Sequence, residues 1–249
     1  MNSMLSRLYR KNELSFALMW ICAYCVANSL VTAFSETMSI NYAAASAVNL
    51  VLSALLIMWL HSEGLFKKYG LCRTHVPAAR FMYYVPLVLL MSQNLWKGVA
   101  VNMPVADTLC FVLNMALVGL LEEVIFRGLL FKALAVRGVR SAIIIVSVTF
   151  GIGHILNLFN GSGMTLMANL FQIFMAAAWG LLFVVIFYRS GSILPCIIAH
   201  SVNNALSAFA NTSAVTLGVQ LALSATSMAI ALGYAIWLWR RIPGESVGR

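Results

Sequence analysis

The stretch VADTLCFVLNMALVGLLEEVIFR, Val105–Arg127, decides how the rest of the chain must be read. An apolar run, Phe111–Leu121, ends on two adjacent glutamates, and an arginine follows four residues after the second. A bilayer is crossed by about 20 mostly apolar residues, and this stretch has that length. Composition points the same way. Of 249 residues, 62% are hydrophobic and 9% charged, with a mean hydropathy of +0.91. Soluble domains run at about 45–50% apolar and about 25% charged. A soluble fold of this size could not hide that apolar surface. The same numbers exclude a disordered chain, a coiled coil and an ordinary nucleic-acid-binding protein. The fold class expected is all-α, a polytopic integral membrane protein.

Working outward from residues 105–126, seven more apolar stretches read as spans: 14–34, 42–61, 81–96, 141–158, 164–187, 192–209 and 215–239. That makes about eight transmembrane helices. The third is short and carries Pro86, and the fourth is expected to run on toward Leu134. The net charge of +9 comes from 16 Lys and Arg against 7 Asp and Glu. With the N-terminus inside, 14 of the 16 basic residues, Arg249 among them, fall in inner loops or at the termini, and Lys97 alone falls in an outer loop. This is the positive-inside pattern. Removing the weak third span would turn Lys132, Arg137 and Arg140 outward, so the charges argue for keeping it. Both termini are expected to be cytoplasmic, and residues 1–249 to form one membrane domain with a motif-bearing core at about 105–209. Phe16–Phe34 reads as a first span, not a cleavable signal. The five cysteines read as buried thiols, and the C-x-x-C of Cys22 and Cys25 has no redox context. There is no internal repeat of the kind typical of transporters.

Ionisable groups at bilayer depth are functional candidates by default. Glu122, Glu123, Arg127, His154 and His200 all lie in apolar spans. His61 and His75, in or beside a basic loop, read as solvated or lipid-facing. At about 100° per residue, Glu123 and Arg127 share a helix face in the favoured order for an ion pair. Glu122 points elsewhere, and a carboxylate without a local counter-charge in a poorly solvated place has its pKa raised. That suits a general acid or base. Phe150 and His154 are one turn apart, as are His200 and Asn204, with Asn203 near the same face. Small residues nearby (Gly151, Gly153, Ala199, Ser201, Ala205) allow close helix approach. A free glutamate, two histidines and an asparagine on three spans form an inventory for activating water and stabilising an oxyanion. An interhelical ionic staple or a proton-coupled transporter could use the same groups.

The motifs Glu122-Glu123-x-x-x-Arg127, Phe150-x-x-x-His154 and His200-x-x-x-Asn204, in that order, resemble those of the CAAX proteases and bacteriocin-processing enzymes, the Abi family. That family includes the Ras-converting CAAX endopeptidases. Lys68-Tyr-Gly-Leu71 also looks like a short loop found after the second span in bacterial members. The resemblance implies an intramembrane endopeptidase in which Glu122, helped by His154, activates water, while His200 and Asn204 stabilise the oxyanion. Glu123, Arg127 and Phe150 would support the site. It implies a membrane-associated peptide or protein as substrate, lipidated or not, and a bacterial plasma membrane as the location. A His₂Glu zinc site of Glu122, His154 and His200 is the alternative to a metal-free mechanism. No H-E-x-x-H helix and no further strong ligand accompany it, so no cofactor is expected. A non-proteolytic immunity or scaffold protein of the same family is the rival function. Counting residues from the ends of straight helices places Glu122 near the inner boundary, and predicts a water-filled cavity open to the inner face.

Overall fold

A computed structural model describes residues 4–38, 42–74, 76–160, 163–211 and 216–243. His75 and Arg249 lie outside these residues. After a short helix α1 (Met4–Lys11), six helices are long and apolar enough to cross a membrane among the described residues. They begin with α2 (Glu13–Met38) and α3 (Ala43–Ser62). The third is continuous from Val105 to Ala135, made of α5 (Val105–Glu122), a π-helical stretch (Glu123–Leu130) and α6 (Phe131–Ala135). It is followed by α7 (Val139–Gly153), which a 3₁₀ turn extends to Leu158, and by α8 (Leu166–Ser190) and α10 (Leu217–Arg241).

The other two expected spans are present only as shorter pieces. Residues 81–96 are broken into a 3₁₀ turn (Ala78–Tyr84), α4 (Val85–Met91) and another 3₁₀ turn (Gln93–Lys97). Met82, Tyr83 and Tyr84 have φ of 50°, 48° and 58°, in the left-handed region, so no helix can run through them. Pro86 sits in the first turn of α4, where its missing N–H has no intrahelical acceptor to lose. Neighbours take up polar groups of this broken segment. The Tyr234 hydroxyl donates to the Phe81 carbonyl at 2.7 Å, and the Asn94 amide donates to the Asn203 carbonyl at 2.7 Å. Residues 192–209 become α9 (Leu194–Leu206), closed by the turn Ser207–Phe209. A count of eight long spans is therefore not what the fold presents.

The long helix over residues 105–135 explains a second difference. At about 1.5 Å per residue it is roughly 45 Å long, against a hydrocarbon core of about 30 Å. Glu122 therefore stands near the middle of its helix, not near its inner end. The helix continues past Glu122 to Ala135, in keeping with the expected extension toward Leu134, so Glu122 does not mark its inner end.

Contacts define the two ends of the bundle. At one, Ser6 and Arg10 of α1 meet Glu63, Lys68 meets Glu13, Thr74 donates to the Ser190 carbonyl, and Arg189 donates to the Trp239 carbonyl. At the other, Tyr42 packs on Phe111, the Ala100 N–H donates to Phe209, and Asn157 donates to Gln172. One hydrophobic cluster runs from Tyr9 to Ile242. Gly119 and Gly151 set the close approaches within it. A Cβ on Gly119 would lie 2.6–2.8 Å from Ser201 of α9, and one on Gly151 would lie 2.8 Å from the Ile173 carbonyl of α8. Gly153, also expected to allow close approach, has nothing within 4 Å of such a Cβ. The cysteines are free, and only Cys196 is buried; Cys22 is exposed on the bundle surface, contrary to the expectation of buried thiols.

Candidate active site

Glu122 is the last residue of α5, and Glu123 is the first of the π-helical stretch. Such wider turns inside α-helices are frequent at functional sites. Glu123 and Arg127 form the expected ion pair, 3.0 Å apart, with both side chains fully buried. The contact lies off the hydrogen-bond direction, so the guanidinium N–H groups lack hydrogen-bond partners. They face aromatic rings instead. The Arg127 guanidinium carbon is 3.9 Å from the centroid of Phe150 and 5.5 Å from that of Phe183. Phe150 thus acts as the lid on the ion pair through a desolvated cation–π contact.

Glu123 has a second partner that its spacing did not reveal. The His200 Nδ1 is 2.8 Å from Glu123 Oε1. Its other ring nitrogen, Nε2, lies 3.6 Å from Glu122 Oε2. That exceeds a hydrogen bond. His200 therefore stands between the two glutamates, with Nδ1–H committed to the structural one. Only Nε2 serves the cavity. The close approach at Gly119, with the Ser201 hydroxyl donating to the Ala116 carbonyl at 2.8 Å, brings α9 into this position.

Glu122 is not without a local partner. The Tyr24 hydroxyl of α2 donates to its Oε1 at 2.7 Å. Sequence reading missed Tyr24: it belongs to no spaced motif, and only the packing of α2 against the π-helical stretch brings it in. The Glu122 side chain is 12% exposed and that of His200 10%, so both reach a cavity without being open to bulk solvent.

His154 ends α7 and begins the 3₁₀ turn His154–Leu158. Its Nδ1 lies 2.9 Å from the Phe150 carbonyl, which can only accept. This assigns the proton to Nδ1 and leaves a lone pair on Nε2. Asn169 of α8 donates to the His154 carbonyl at 2.7 Å and anchors the turn. The Phe150 ring stands between the two imidazoles, 5.2 Å from His154 and 5.9 Å from His200 by centroids.

Glu122, His154, His200 and Asn204 all line one cavity of about 410 Å³. A second arm, of about 320 Å³, shares His154, His200, Asn204, Phe150 and Gln172 with it. Asn203 is buried, accepts from Asn94 and lines only the smaller arm, whereas half-buried Asn204 lines both, so the fold separates two candidates that spacing left together. Among the described residues, no three His, Cys, Asp or Glu side chains are grouped as a metal-ligand set.

Residues 104–206 match the family model described as type II CAAX prenyl endopeptidase, Rce1-like. The match covers about two fifths of the chain and holds all three motifs. Over this stretch the chain is similar to the CAAX prenyl endopeptidases. The six long apolar helices agree with the membrane-embedded character of that family. No curated protein and no solved structure matches the chain. The matched stretch begins one residue before α5 and ends at the last residue of α9, so α2, which supplies Tyr24, lies outside it.

Proposed function

We propose that the protein hydrolyses a peptide bond of a membrane-associated peptide or protein, with a water activated by Glu122. The observation that carries this reading is the convergence of Glu122, His154, His200 and Asn204 on one cavity, with Glu122 and His200 3.6 Å apart at their nearest ionisable atoms. Tyr24 holds Oε1 of Glu122, leaving Oε2 to take a proton from water. The lone pair on His154 Nε2 helps orient that water. The hydroxide attacks the scissile carbonyl carbon, and Asn204, whose amide donates, and His200 beside it stabilise the oxyanion. Glu122 then passes its proton to the departing amine. Glu123 fixes the ring of His200, and Arg127 with Phe150 fixes Glu123.

The step is written without a metal. Glu122 cannot readily be ligand and base at once, and the base role is the one assigned to it here. Cleavage is expected to survive a strong zinc chelator; loss with the chelator and return with Zn²⁺ would replace this mechanism. The substrate reading covers lipidated and unlipidated chains, and the host membrane is taken as a bacterial plasma membrane.

The test compares new peptide N-termini in host membranes holding wild type or Glu122→Gln at matched levels. Neo-termini restricted to wild type are expected. Identical profiles from two folded proteins would favour binding without proteolysis, as in an immunity or scaffold protein.

A further inference from the structure

The cavity occupies one half of the bundle. Its wall on α2 starts at Tyr24 and runs toward Thr32; on α7 and the following turn it runs from Phe150 to Asn160; on α9 and its closing turn it runs from His200 to Ser207. Each stretch begins near the middle of its element and continues to the same end. That end is the one where Tyr42 packs on Phe111 and the Ala100 N–H donates to Phe209. No lining residue of either arm comes from the other end.

Charge divides the molecule along the same axis. Thirteen of the 16 Lys and Arg lie at the end where α1, the residue 63–80 segment, the α6–α7 junction and the last turns of α8 and α10 are gathered. The end reached by the cavity has Lys97 as its described basic residue. Basic residues on that scale hold their end of a membrane protein in the cytoplasm. The cavity thus runs toward the end with few basic residues, opposite to the inner-face opening expected from the sequence.

We propose that the cavity is entered from the non-cytoplasmic side, and that its substrate is an uncharged stretch of polypeptide presented there, in or at the outer leaflet. This rests on the protease reading above. The two arms meet at His154, His200 and Asn204, so an extended chain can lie with residues on both sides of the scissile bond. Beyond the site residues, the polar lining of the larger arm is mostly amide and hydroxyl: Asn28, Asn114, Asn157, Asn160 and Gln172 among them. Carboxamides offer donors and acceptors together, as a peptide backbone does. Apart from Lys97, no charged side chain other than those of the site faces either arm. A prenylated cytoplasmic tail would have to reach this site from the wrong face.

The experiment uses the full chain with its cysteines replaced and single cysteines returned. Asn160→Cys and Ser207→Cys probe the cavity rim; Val101→Cys, 80% exposed, marks the low-charge end, and Arg137→Cys the basic end. Intact cells are treated with a membrane-impermeant maleimide, before and after permeabilisation. The expected result is full labelling of both rim positions and of Val101→Cys in intact cells, with Arg137→Cys labelled only after permeabilisation. Two rim positions keep the test alive if one variant misfolds. Rim labelling only after permeabilisation, or a rim closed to the reagent in both states while Val101→Cys reacts, overturns the proposal. The neo-terminus comparison supplies the second arm. Cleaved bonds on non-cytoplasmic segments support the substrate class, and cleaved bonds on cytoplasmic segments overturn it while leaving the protease standing. The expected labelling without any neo-termini overturns the protease reading and the substrate with it, and leaves the entry side in place.

Discussion

Glu123 meets two partners at once, Arg127 at 3.0 Å and His200 at 2.8 Å, and this makes it the hinge between the buried ion pair and the cavity. Removing Arg127 leaves an uncompensated charge in a fully buried place, which destabilises by about 3–5 kcal/mol. Arg127→Ala is therefore expected to lower protein yield and the Tm in detergent; an unchanged Tm would remove Arg127 from the structural role. Glu122→Gln should keep the Tm and lose cleavage. Tyr24→Phe is a subtler test. A hydrogen bond to a charged group contributes about 1.5–3 kcal/mol, so cleavage should fall about tenfold or more while the Tm stays within a few degrees. Equal cleavage by wild type and Tyr24→Phe would mean that the phenol does not position the carboxylate during reaction.

Among the elements, the approach of α9 to α5 places His200 beside both glutamates, and Gly119 permits it. Gly119→Ala puts a methyl against Ser201 backbone atoms, so α9 must move. Gly153→Ala meets open space. The first should depress both Tm and cleavage, and the second should leave the Tm near wild type; comparable Tm losses would deny Gly119 this role. The clamp of α1 on the end of α3 has a pH dependence. The Ser6 hydroxyl, against slight burial and with help from Arg10, holds the Glu63 carboxyl below its ordinary range. A carboxyl with a depressed folded pKa stabilises above its unfolded pKa and loses that contribution as pH falls through the folded one. The Tm gap between wild type and Glu63→Gln should therefore be present at neutral pH and close on acidification through the glutamate range. Several of these elements were legible beforehand. The fourth span's extension toward Leu134 follows from its hydropathy, and the weakness of residues 81–96 follows from Pro86. The π-helical stretch was not legible, since nothing local in residues 123–130 distinguishes a wider turn from a regular one.

At the scale of the whole molecule, the asymmetry of charge predicts the orientation, with the basic end in the cytoplasm. A fluorescent protein that matures only in the cytoplasm, fused after the last residue, is expected to fluoresce in the host membrane, and an alkaline phosphatase fused there to be inactive. The opposite pair of results would reverse the orientation and the side of entry together. Composition and local spacing were enough for the membrane environment, the helical class, the Glu123–Arg127 pair and the list of polar groups in apolar spans. Each of those depends on total hydropathy or on neighbours within one or two turns, which are written in the covalent order. The partnership of His200 with both glutamates, the arrival of Tyr24, the separation of Asn204 from Asn203 and the end to which the cavity runs were decided only by the fold. They join side chains 77 or more residues apart, or adjacent ones whose difference is the neighbouring helix. Such meetings depend on how small residues let helices approach and on where a helix truly ends, and neither quantity is carried by a motif.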